Sequence, residues 1–143
     1  MCFNGPKSWW LGWYSDTGKE GHVTVTTTPG NWDGKLVGID DYVNNANFDD
    51  SQHRVIAKVD QPNSNNDLYI MYNRKKGINN EVVGYGDTVT VVAQDGSNKQ
   101  SWLQASLTES TPAHSVPDWA GTWLLYTPDA ANRAYHSILA ICP

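Results

Sequence analysis

The sequence predicts an all-β fold: an antiparallel β-sandwich of about eight strands, preceded by one short helix. Three observations carry this. Short runs alternate apolar and polar residues with a period of two, as in His22-Val23-Thr24-Val25. Turn formers punctuate the chain at short spacing, among them 12 Gly and 7 Pro. Aromatic residues that favour strands supply the core volume, with 7 Trp and 7 Tyr against only 2 Phe.

The helix is predicted by the opening stretch Met1-Cys2-Phe3-Asn4-Gly5-Pro6-Lys7-Ser8-Trp9-Trp10-Leu11-Gly12-Trp13-Tyr14. Pro6 suits a first helical turn, Asn4 stands where a capping side chain is needed, and Gly12 stands where a glycine ends a helix. Trp9, Trp10 and Trp13 can then share one apolar stripe. A helix this short is not stable alone in water, so it must dock against something larger.

Residues 22–28 predict the first strand, with Val23 and Val25 on one face and Thr24, Thr26 and Thr28 on the other. Residues 29–34 read as a turn and 35–43 as the next strand. A polar, acidic loop follows over 44–52, anchored by Phe48. In 53–60, Val55, Ala57 and Val59 face inward while Arg54 and Lys58 face out. Residues 67–73 are apolar on both faces, the pattern of a central strand covered on each side. A basic turn over 74–80 and a short strand over 81–85 precede 87–94, where Val89, Val91 and Ala93 share a face. Asp95-Gly96 is the strongest hairpin signal in the chain. The returning strand, 101–108, puts Leu103, Ala105 and Leu107 on one side. A loop over 109–119 contains Pro112 and Pro117, and the last two strands fall at 121–127 and 133–142.

At 143 residues the length fits one domain. Charged residues make up 17% and the net charge is −5, which argues against a nucleic-acid or anionic-membrane partner. No apolar run approaches the ~18 residues of a membrane span. The two cysteines, Cys2 and Cys142, stand at opposite ends of the chain. They read either as separate buried thiols or as a disulfide tying the termini together. The disulfide is the expectation adopted, and it suits a secreted or otherwise oxidising compartment. No signal peptide precedes Met1, so the expectation is a removed leader or an internal start.

Chemistry is sparse. His22, His53, His114 and His136 are isolated, without the i, i+4 spacing of a zinc helix, and no Gly-x-Ser-x-Gly elbow occurs. Asp40, Asp41, Asp49 and Asp50 flank Asn44, Asn45 and Asn47, a set of hard oxygen ligands suited to Ca²⁺ but without EF-hand spacing. A solvated acidic loop is the simpler account. Trp32 beside Asn31 and Asp33, and Trp119 beside Asp118, are candidates for stacking on a sugar ring, weighed against plain loop anchoring. No cofactor is expected.

Several runs carry a family resemblance. Met1-Cys2-Phe3-Asn4, Lys7-Ser8-Trp9 and Leu11-Gly12-Trp13-Tyr14 resemble the gametolysin-type zinc metallopeptidases of algae and related protists. Leu36-Val37-Gly38-Ile39-Asp40-Asp41-Tyr42, residues 67–79 and Ser101-Trp102-Leu103-Gln104-Ala105-Ser106-Leu107 are similar to that family too. The resemblance implies that residues 1–14 correspond to the closing helix of the catalytic domain and 15–143 to the β-sandwich beyond it. No His-Glu-x-x-His occurs in the chain, so no catalytic residue is assigned. The expected role is a non-catalytic module, structural or recognising a protein or glycoprotein. Its partner, another protein domain or subunit, would be met through Trp9, Trp10 and Trp13. The competing expectations are a fragment of an active secreted zinc metallopeptidase, a stand-alone subunit of a larger assembly, and a Trp-based carbohydrate-binding module.

Overall fold

A computed structural model describes residues 4–16, 19–26, 32–44, 48–49, 51–61, 64–115, 123–128 and 135–141, with the backbone alone from 123 onward. Among the described residues the molecule is mostly β, with two short helices. Helix α1 spans Gly5–Trp10 and α2 spans Ile39–Asn44. A small ribbon pairs β1 (Ser15–Asp16) with β2 (Lys19–Glu20). The first large sheet has the order β3-β6-β7-β8-β9, built from His22–Val25, Ile56–Val59, Asp67–Asn73, Thr88–Gln94 and Ser101–Leu107. The second has the order β10-β11-β12-β4-β5, built from Ala113–Ser115, Trp123–Pro128, Tyr135–Ile141, Trp32–Val37 and His53–Arg54.

Both sheets are mixed rather than purely antiparallel as expected. β3 runs parallel to β6, and β4 runs parallel to β5. The cause lies at residues 39–43, which form α2 and not a continuation of the strand. Parallel neighbours need a long crossover, and α2 with the loop after it supplies one between β4 and β5. Ile39 and Tyr42, three apart, are both buried, while Val43 and Asn44 are exposed, which is helical periodicity. Gly38 and Tyr42 make its first hydrogen bond, from Tyr42 N to Gly38 O at 3.0 Å. The predicted strand over 53–60 is likewise split at Val55. There the backbone N–H groups of Val55 and Ile56 both donate to Gly21 O, at 2.7 and 3.0 Å, and the chain passes from the second sheet to the first.

Strand β7 is the centre of the first sheet, as its two-faced apolarity predicted. Leu68 to Tyr72 are all buried. Leu68, Ile70 and Tyr72 point to one core, where Val25, Val59, Val91 and Leu107 meet Leu36 of β4. Tyr69 and Met71 point to the other, with Ile56, Val37, Ile39 and Tyr42. Each fully buried aliphatic chain contributes about 1.5–3 kcal/mol to folding. The expected hairpin also forms: β8 and β9 are antiparallel, with Gln94 opposite Ser101. It closes over residues 95–100 instead of a two-residue turn, tied by Gln94 Nε2 donating to Lys99 O at 2.6 Å. Residues 81–85 form no strand but part of a loop after the 3-10 turn Gly77–Asn79.

Candidate functional site

Two surfaces stand out, one at each end of α1. The helix itself forms for the reasons its sequence predicts. Asn4 Oδ1 accepts from Lys7 N at 3.2 Å, and Pro6 sits in the first turn, where its missing N–H costs nothing. At the other end Gly12 takes φ +69°, and its N–H donates to Trp9 O while Trp13 N–H donates to Ser8 O, both at 3.0 Å. That pair of bonds is a Schellman close, which needs a left-handed residue at this position. Gly5 is buried on β7, where a Cβ in its place would meet Tyr69 Cβ at an ordinary contact distance of 3.4 Å.

The docked helix divides the tryptophans. Trp9 turns inward, stacked on His22 with ring centres 4.3 Å apart and an interplanar angle of 10°, and edge-on to Tyr69 at 6.0 Å. Trp10, Leu11 and Trp13 remain 44%, 55% and 42% exposed, forming an apolar patch at the helix end. The expected single stripe of Trp9, Trp10 and Trp13 is therefore one anchor and two outward rings. Behind the patch an aromatic row runs Tyr14, Tyr42, Phe48, His53, with successive ring centres 4.9–5.8 Å apart. Lys19 lies over Tyr42 at 5.2 Å and donates to the Tyr42 carbonyl at 2.9 Å. Trp13 joins this row edge-on through Tyr14, with ring centres 6.4 Å apart.

Burial disfavours the charged form of His22 and lowers its pKa, partly offset by the Trp13 carbonyl and by Glu20. Its Nε2 is buried and meets no partner among the described residues.

At the start of α1 lies a groove of about 300 Å³ on the outer face of the first sheet. Met71, Thr90, Val92 and Leu103 make its floor, with Asn4 and Gly5 on one side and Val82, Val83 and Tyr85 on the other. A β-bulge creates it. Ala105 lies opposite Val91 and Leu103 opposite Val92, so Gln104 is an extra residue in β9. The one-residue slip sends Leu103 to the outer face, where regular alternation would have placed it in the core with Ala105 and Leu107. Trp102 and Leu103 are left 49% and 40% exposed.

The acidic residues are committed elsewhere. Asp41 pairs with Arg74 and Lys76, and Asp40 with Lys76 and Asn44 Nδ2, which clamps α2 to the segment after β7. Asp49 accepts from Ser51 N at 2.9 Å and Ser51 Oγ at 2.6 Å, closing a local turn. Those hydrogen bonds hold its carboxyl below the usual range. Asp50 lies outside the described residues. Among the described residues no three His, Cys, Asp or Glu side chains converge as metal ligands. His53 Nδ1 accepts from Asp49 N at 3.0 Å, and burial lowers its pKa and that of His114. His136 is placed in β12 by its backbone.

Trp32 is not at a turn tip. It begins β4, is partly buried against the main core and folds its ring across Gly34, whose missing Cβ leaves the room. That is the position of a partly buried anchor. Trp119, Cys2 and Cys142 lie outside the described residues. The groove was missed in the sequence because a bulge leaves periodicity only locally broken. The one signal was the adjacent apolar pair Trp102-Leu103, which no regular half-buried strand buries together.

Compared with protein families, curated proteins and solved structures, the chain matches none.

Proposed function

We propose that the chain is a non-catalytic recognition module whose two five-stranded sheets form a sandwich and whose α1 end docks on another protein domain. The exposed Trp10, Leu11 and Trp13, set on an aromatic base beside the anchored Trp9, carry this reading. Large apolar side chains clustered on a surface mark interaction sites, and Trp is the residue most enriched at binding hot spots. The resemblance to the gametolysin-type metallopeptidases supports the same role, because there the corresponding segment forms the closing helix of the catalytic domain, at its junction with the β-sandwich. A secreted protein with Cys2 joined to Cys142 belongs to this reading.

The test compares the intact chain with a Trp10→Ser, Trp13→Ser double variant as immobilised bait for the protein fraction of its native source. The expected result is a partner held by the intact chain and released at least tenfold more readily by the variant, with circular dichroism unchanged. Equal retention by both, or none by either, overturns the reading.

A further inference from the structure

We propose that β9 is the docking edge for an extended, uncharged peptide segment of a partner protein. The segment pairs its main chain with the exposed half of β9, Ser101–Gln104, and sets one apolar side chain in the groove beside Leu103. This surface lies at the opposite end of α1 from Trp10 and Trp13 and stands without them.

Two independent features meet here. The first is an open edge. β9 ends the first sheet, and among the described residues no strand pairs with its outer side, although β10 approaches its Leu107 end after the turn bridged by Thr108 and Thr111. An outer strand presents alternate N–H and C=O groups, a template for a further strand. Proteins commonly blunt such edges with Lys or Pro, and Ser-Trp-Leu-Gln-Ala-Ser-Leu contains neither and no charge at all. The bulge at Gln104 is its one irregularity, and it is what turns Leu103 toward the groove.

The second feature is the groove itself. In a chain of net charge −5, every side chain that lines it is neutral. A charged residue of the incoming peptide would lose water there and gain no counter-charge, so the site selects an uncharged one. A residue directly opposite Leu103 on an added strand has its Cβ about 4.5–5.5 Å from that of Leu103 and faces the same side. Its neighbours in sequence face the other side, where Trp102 stands opposite Ala93. Main-chain pairing gives such a complex affinity, and the pocket for an alternate side chain gives selectivity.

The experiment selects seven-residue peptides from a random display library against the full chain and measures binding of the synthetic winners. The expected winners are uncharged with apolar residues at alternate positions, and they shift the amide resonances of Ser101 to Ala105 together with those of Val83 and Tyr85. N-methylation of one alternate set of peptide amides should abolish binding, and N-methylation of the other set should leave it. Leu103→Asp should weaken binding at least tenfold, while Trp13→Ser leaves it unchanged. No enriched peptide, equal binding to the Leu103→Asp variant, or equal tolerance of both methylation patterns overturns the proposal. A concentration-dependent dimer lost in Leu103→Asp also overturns it, by assigning the edge to a second copy of the chain.

Discussion

His22 and Asp41 show how single residues set the behaviour of this surface. Burial of the His22 imidazole against Trp9 disfavours its charged form and lowers its pKa. A depressed folded-state pKa means that its contribution is fully present above the unfolded value of about 6.5 and is lost as pH falls from there through the lower folded value. His53 and His114 are shifted the same way and add to the slope. The melting temperature should therefore fall as pH drops below about 6.5, and His22→Gln should give a shallower fall. An unchanged slope in thermal scans across this range would remove His22 from the account. Asp41 is buried and answers Arg74 and Lys76. Asp41→Asn should cost about 2–3 kcal/mol in chemical denaturation, because a partly buried Arg74 loses its counter-charge. Asp40→Asn, whose partner Lys76 is exposed, should cost clearly less than Asp41→Asn in the same measurement.

At the scale of elements, α1 and β9 depend on opposite kinds of information. α1 is closed by local chemistry at both ends, so its cap, Pro6 and terminal glycine could be read directly. Gly12 gives a clean test, because nothing lies within 4 Å of where its Cβ would be. Gly12→Ala should then cost about 1 kcal/mol from backbone strain alone and loosen the Trp13 end. A shift in the denaturant midpoint of that size checks it; no shift would show that the Schellman close is not holding the helix. β9 depends on its neighbour. Its alternation predicted Leu103 inside, and the pairing with β8 moved it out by a single inserted residue. Likewise Ile39 and Tyr42 carry a helical spacing inside a run that also reads as a strand, and only the need for a crossover decides between them.

At the scale of the whole molecule, the proposed Cys2–Cys142 disulfide would join the two ends of the chain. Closing a loop of this length stabilises by roughly 4–5 kcal/mol in the chain-entropy model. Cys142→Ser should lower the unfolding midpoint under oxidising conditions and leave it nearly unchanged under reducing ones. Mass spectrometry of the non-reduced, alkylated protein checks the pairing, and two alkylated thiols in material from an oxidising compartment would refute it.

The sequence by itself determined the β-rich class, the capped opening helix, the doubly buried β7 and the β8–β9 hairpin. Each rests on periodicity or on a residue whose backbone preference acts within a few positions. Only the tertiary structure decided the parallel pairings, the break at Val55, the inward turn of Trp9 and the groove beside Leu103. Those depend on which strand lies next to which. Register between strands distant in sequence is fixed by whole-sheet packing, and no local pattern contains it.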